Sequence, residues 1–198
     1  MKKIVLTLSL LVATTATYAQ TATQVLDKAA QKLTVKSGFK ADFKATTPQG
    51  TITGTIAVKG NKFMATTQHT KVWFDGKTQW TYMTRNDEVN VSNPKDSELQ
   101  SLNPYNFINI YKKGYKSTMT KEGDKYIVHL TAESKSKKVQ ELFVTVDSKT
   151  NTLTQVKMLQ GKKWMHFDVS NLKQENLSDA YFHFNAKDFP TAEVIDLR

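Results

Sequence analysis

The sequence predicts a mainly β protein of the α+β type, built on a single long antiparallel sheet that curls toward a barrel. Three observations carry that prediction. From residue 39 onward, apolar residues recur with the period of two that a strand with one buried face requires. Turn signals such as Asp75-Gly76, Gly123-Asp124 and Gly161-Lys162 cut the chain at intervals of about 10 residues. Helical spacing is confined to one opening segment and one short insertion.

Ahead of the domain, Lys2 and Lys3 form a positive n-region, and Ile4 to Ala13 is an apolar run too short to cross a bilayer. Thr17-Tyr18-Ala19 then places small residues where a signal peptidase reads them. The expectation is a signal peptide over 1–19, cleaved between Ala19 and Gln20, and a single domain over 20–198 exported to the periplasm. Loss of two lysines takes the formal net charge from +10 to +8. The chain has no Cys, which excludes disulfides, thiolate metal sites and a lipid attached to an N-terminal Cys. Apart from Lys135 to Lys138 the lysines are dispersed. Such dispersion suits solubility, an anionic membrane surface or an acidic protein; nucleic acid is not an expected partner of an exported chain.

Val25, Leu26, Ala29, Ala30 and Leu33 share one helical face, with Thr23 as candidate N-cap. Phe39, Ala41, Phe43 and Ala45 alternate with polar residues, as do Ile52, Gly54, Ile56 and Val58, giving two strands around the Pro48-Gln49-Gly50 turn. A strand over 62–68 follows, and 72–83 folds back at Asp75-Gly76. On the returning arm Trp80 and Tyr82 face one way and Gln79, Thr81 and Met83 the other. Residues 88–91 add an edge. Between 94 and 113, Leu99, Leu102, Phe107, Ile110 and Tyr111 recur at roughly helical spacing around Asn103-Pro104, which predicts two short helices. Strands resume at Tyr115 and run to Leu172, with a last one over 181–185.

A wide curled sheet must cover its apolar face, and three short helices cannot fill a half-barrel, so the pattern predicts a tightly packed sheet or a cavity under a removable cover. Catalytic and metal motifs do not appear. His69, His129, His166 and His183 sit on separate segments without a metal-ligand spacing. His166 and Asp168 share a strand face but have no accompanying G-x-S-x-G or Cys nucleophile. The reading is a binding protein without catalytic residues, metal or cofactor.

The chain resembles the periplasmic outer-membrane lipoprotein carriers (LolA-like). The resemblance runs through G-F-K-A-D-F at 38–43, G-T-I-A-V-K at 54–59, N-K-F at 61–63, D-G-K-T-Q-W-T-Y at 75–82, the Pro-containing insertion, Q-E-L-F-V-T-V at 140–146 and A-Y-F-H-F-N at 180–185. It implies an unclosed β-barrel whose concave face is covered by the N-terminal helix and a short helical lid at about 94–113. The cavity beneath would take lipoprotein acyl chains. On this resemblance Phe43, Ile56, Phe63, Trp80 and Tyr82 line the cavity, and Leu99, Leu102, Phe107 and Ile110 form the inner face of the lid.

The implied partners are acylated lipoproteins, an inner-membrane ABC-type releasing complex and an outer-membrane acceptor, with the carrier a monomer. The family's Arg-Pro after Val58-Lys59 is replaced by Gly60-Asn61, so Lys59 and Lys62 are the candidate lid latch. Also, Lys44 replaces a family Gln, and Ala65 an aromatic residue. Burial of each methylene gains about 0.8 kcal/mol, so three acyl chains need an escort in water, yet an ideal pocket would never release them. Alternatives on the same residues are a carrier or sensor of free lipid or glycolipid, or an exported adhesion or assembly module with a filled core.

Overall fold

A computed structural model describes residues 20–33, 36–95 and 111–198. The predicted signal peptide, most of the predicted lid, and with it Leu99, Leu102, Phe107 and Ile110, lie outside the described residues.

Helix α1 spans Ala22–Leu33 and buries Val25, Leu26, Ala29, Ala30 and Leu33, the face predicted from spacing. Its cap is Thr21 rather than Thr23. Thr21 Oγ1 accepts the Gln24 N–H at 3.2 Å while Gln24 Oε1 accepts the Thr21 N–H at 3.0 Å. This reciprocal T-x-x-Q pair satisfies two donors at once, which Thr23 inside the first turn cannot do.

The strands are β1 (Phe39–Thr47), β2 (Gly50–Lys59), β3 (Lys62–Thr67), β4 (Thr70–Phe74), β5 (Gln79–Met83), β6 (Glu88–Ser92), β7 (Tyr115–Glu122), β8 (Lys125–Ala132), β9 (Val139–Asp147), β10 (Leu153–Gln160), β11 (Lys163–Gln174) and β12 (Glu193–Asp196). They form one sheet in the order β12-β6-β5-β4-β3-β2-β1-β11-β10-β9-β8-β7. Its two ends do not meet, so the barrel is unclosed as expected. Pairing of β1 with β11 joins two antiparallel meanders in the middle. There the register skips between Lys40 and Asp42, and Asn171, at φ 52°, supplies the extra residue. Asn171 Nδ2 donates to Asp42 Oδ2 at 2.7 Å. A bulge at this point bends the strand and lets both Val169 and Leu172 reach the core.

The chain reverses between β4 and β5 at Asp75, whose Oδ1 accepts the Lys77 and Thr78 N–H groups at 2.9 and 2.8 Å. Two expectations change beyond that hairpin. The predicted strand at 181–185 is instead a pair of single 3-10 turns, Asp179–Phe182 and Ala186–Asp188. Asn185 Oδ1 accepts the Lys187 N–H and starts the second turn. Phe182 plugs into the sheet with no exposed surface. The 88–91 segment is not an edge either, because β12 runs parallel beside β6.

Helix α1 lies against β7, β8 and β9. The core it closes unites α1 with Phe39, Ile56, Val58, Phe63, Leu142, Val156 and their neighbours. We call this the helix face of the sheet. A smaller cluster of Ala57, Leu177 and Phe182, with Met64 beside it, marks the outer face.

Candidate functional site

Paired residues on antiparallel strands point to the same side, so the register assigns each predicted site residue to a face. Phe43 lies opposite Gly54 and Val169, Ile56 opposite Ala41 and Ala65, and Phe63 opposite Val58 and Phe74. All three are on the helix face. Ile56 and Phe63 are closed off at 2% and 1% exposure. Phe43 is only partly buried, together with Ala65, Val72, Met165 and Phe167. Ile52, at the start of β2, is 50% exposed; it pairs with Ala45, which pairs with Phe167. The apolar surface is therefore graded, sealed under Phe39 and Phe63 and open toward Ile52.

Gly54 makes that open end possible. A Cβ there would stand 2.1 Å from the Thr66 carbonyl oxygen and 2.9 Å from Phe43 Cζ, so only glycine lets the Phe43 ring lie across β2. Gln79 shares the helix face through its pairing with Phe74. It is 9% exposed; Nε2 donates to Thr81 Oγ1 at 3.1 Å, but Oε1 is buried without a hydrogen-bond partner among the described residues. A buried amide oxygen left unpaired costs about 1–3 kcal/mol. It is a single acceptor set into an apolar wall.

Trp80 and Tyr82 are not with Phe63. Trp80 pairs with Trp73, which pairs with Met64, and all lie on the outer face. The alternation along β5 is as predicted, but the hairpin register puts Gln79 and Thr81, not the rings, on the Phe63 side. The rings receive the C-terminal segment, which crosses the outer face as a strap. Trp80 meets His183 at 4.4 Å between ring centroids, Tyr82 meets Phe189 at 4.6 Å, and Trp73 meets Phe184 and Phe189 at 5.6 and 5.5 Å. Tyr82 Oη also donates to Asp87 at 2.9 Å. Sequence reasoning missed this packing, although Phe182, His183, Phe184 and Phe189 form an aromatic run as dense as the hairpin's own. An open groove of about 600 Å³ remains between the strap and Met64 and Trp73.

Lys59 and Lys62 also point to the outer face. Lys59 Nζ donates to the Leu177 carbonyl at 2.7 Å and to Asp179 at 3.0 Å, and Lys62 contacts the other Asp179 oxygen at 2.9 Å. These two cations hold Asp179 below the ordinary carboxylate range, Lys62 contributing most. They latch the strap. On the helix face, the Tyr111 hydroxyl donates to Asp27 of α1; burial first, and then that bond, push the phenol well above its usual range.

The histidines do not converge. His129 stacks on Phe143 at 4.1 Å and meets Glu141 at 3.1 Å, and His183 lies 3.4 Å from Asp75. Asp168 is engaged by Gln155 at 2.7 Å. Among the described residues no group of three or more His, Asp or Glu could hold a metal ion.

The family described as "Outer membrane lipoprotein carrier protein LolA" matches residues 12–162. The chain belongs to that family. No curated protein matches it in sequence. Among solved structures, an uncharacterized conserved protein from Thermus thermophilus is similar at 13% identity and a TM-score of 0.60, over 88% of this chain and 98% of its own. A LolA superfamily protein from Nitrosomonas europaea follows at 13% identity and TM-score 0.43, over 84% and 99%. A putative outer membrane lipoprotein-sorting protein domain from Vibrio parahaemolyticus gives 12% and 0.45, over 81% and 95%. At these identities the likeness concerns the fold.

Proposed function

We propose that the protein is a non-enzymatic periplasmic carrier that shields lipoprotein acyl chains on its helix face. It is made as a precursor cut between Ala19 and Gln20, works as a single domain and a monomer, and shuttles from an ABC-type complex in the inner membrane to an acceptor at the outer membrane. The observation that supports this most is the incomplete packing around Phe43, Phe167 and Ile52. Ordinary cores close such surface, whereas a transporter of lipid must keep some of it open. Leu99, Leu102, Phe107 and Ile110 supply the lid that competes with cargo for Phe43, Ile56 and Phe63. Full burial of one chain is worth on the order of 10 kcal/mol, so a competing lid is what makes release to a better acceptor downhill. Gln79 Oε1 gives the cargo's polar junction an acceptor inside the apolar wall.

The test is native mass spectrometry, with lipid extraction, of the processed protein purified from its own periplasm. Triacylated lipoprotein bound at one per carrier is the expected result. Free phospholipid or glycolipid in its place would replace this reading with the free-lipid carrier, and a consistently empty protein would leave a filled-core assembly module.

A further inference from the structure

The two loop ends of the sheet differ in how many of their lysines have acid partners. At the end reached by Glu122, Asp147 and Gln174, Lys40, Lys59, Lys62 and Lys149 are each paired with an acid. Lys149 pairs with Asp124 at 2.7 Å, Lys40 with Glu175 at 2.8 Å, and Lys59 and Lys62 share Asp179. At the other end, three adjacent segments read Lys-Lys-Gly-Tyr-Lys at 112–116, Glu-Ser-Lys-Ser-Lys-Lys at 133–138 and Gly-Lys-Lys at 161–163, with Glu133 the one acid among them. Contacts bring the three together. The Glu133 N–H donates to the Gly114 carbonyl at 3.1 Å, Lys137 Nζ donates to the Lys113 carbonyl at 3.2 Å, and Val139 faces Gln160, which faces Lys163. Among the described residues none of these lysines forms an ion pair, and all but Lys137 are exposed.

The same end carries the open part of the helix face. Ile52, Ala45 and Phe167 lie in register across β2, β1 and β11, and Phe167 follows Lys163 along β11. An exposed apolar side chain at the same end as a rim of ammonium groups without acid partners has the chemistry of a surface that meets an anionic bilayer: phosphates outside, acyl chains beneath. A protein partner would more commonly be matched by both signs of charge, as at the opposite end, and would not require exposed Ile52 next to a one-sign rim.

We propose that this lysine-rimmed end docks the protein reversibly onto anionic phospholipid membranes and presents the open helix face to the bilayer. The inference deepens the carrier reading, because it says which surface meets a membrane during loading or delivery. It does not depend on the identity of the cargo.

The experiment is co-flotation of the 20–198 chain with vesicles of phosphatidylcholine alone or with added phosphatidylglycerol, at low and high salt. Binding is expected only with phosphatidylglycerol and should fall as salt shortens the screening length below about 10 Å. Each surface lysine contributes about fivefold, so Lys162→Gln/Lys163→Gln should lower partitioning roughly 30-fold at low salt. Both side chains are exposed, so the fold is retained. Lys121→Gln/Lys125→Gln, at the opposite end, removes the same charge and should change partitioning by less than about fivefold. Ile52→Ser should weaken the binding that remains at high salt. Equal loss in both lysine pairs, binding indifferent to phosphatidylglycerol, or no binding at all would overturn the proposal; the last would move the rim to an acidic protein partner. Vesicle binding with no lipoprotein found in the periplasmic sample would sink the cargo reading and leave docking intact.

Discussion

The two faces of this sheet are both rich in large apolar side chains, yet among the described residues one is covered by the chain itself and the other only in part. On the outer face Trp73, Trp80 and Tyr82 each meet a ring of the strap, and Phe182 is fully buried. On the helix face the largest sealed rings, Phe39 and Phe63, grade into a half-buried row ending at exposed Ile52, with an unpaired amide oxygen at Gln79. Ring density therefore does not distinguish the proposed binding surface; unsatisfied surface does.

The largest effect is expected from breaking the covered face. Phe182→Ala should cost about 3–5 kcal/mol, since it empties a fully buried site at which the strap cannot easily collapse. Urea unfolding measures that loss. Cargo bound per folded molecule should stay unchanged, and a parallel loss of cargo would erase the distinction between the faces.

Next in size is the reverse experiment. Phe43→Ser removes a half-buried ring from the open end and should cost about 1–2 kcal/mol of stability, less than a fully buried phenylalanine. Lipid uptake should drop severely, as judged by displacement of a fluorescent fatty-acid probe. Trp80→Ala should do the opposite: a comparable or larger stability loss with uptake retained. If both variants lose uptake equally, the outer rings belong to the site after all.

This contrast also explains what the sequence reveals. The opening helix, most of the strand plan and the alternation along β5 are legible, because periods of 2 and 3.6 report burial directly. So are Phe43, Ile56 and Phe63 as helix-face residues, because β1 to β3 are joined by short turns that carry the face from one strand to the next. Assigning Trp80 and Tyr82 to that same face fails on the four-residue Asp75–Thr78 reversal, where pattern alone does not say which side the returning strand presents. The strap reads as a strand because its alternating aromatics imitate one. Lys59 and Lys62 are expected to latch the lid, most of which lies outside the described residues; both engage Asp179 of the strap, 120 and 117 residues further along, a long-range contact that no local pattern announces.

A smaller effect should come from Gln79. Gln79→Met keeps the volume and removes the unpaired oxygen, so stability should rise by about 1 kcal/mol in thermal or urea unfolding. A gain in stability with weaker retention of a lipoprotein, but unchanged retention of a simple fatty acid, would identify the amide as the acceptor for the cargo's polar junction. An unchanged preference would leave it as a tolerated defect.

The smallest effect concerns the strap latch and its pH dependence. Lys62 and Lys59 hold the Asp179 carboxyl below its ordinary value of 3.8, so the folded state favours the ionised form. The stabilisation is therefore complete above that value and is lost as pH falls through the lowered one. Between neutral pH and about pH 5 the latch should be indifferent to acid, and only in more acidic solution should the strap loosen. Because Asp179 is well exposed, with 66% of its side-chain surface accessible, solvent screens the pair and the effect on global stability should be small. Tryptophan emission from Trp73 and Trp80, followed against pH in a Trp164→Phe background, reads the strap directly. Asp179→Asn should remove the acid transition while leaving the rings seated, since Phe182 and the aromatic contacts carry most of the strap's attachment. A shift in emission already at neutral pH in that variant would mean that the ion pairs, and not the buried rings, hold the outer face closed.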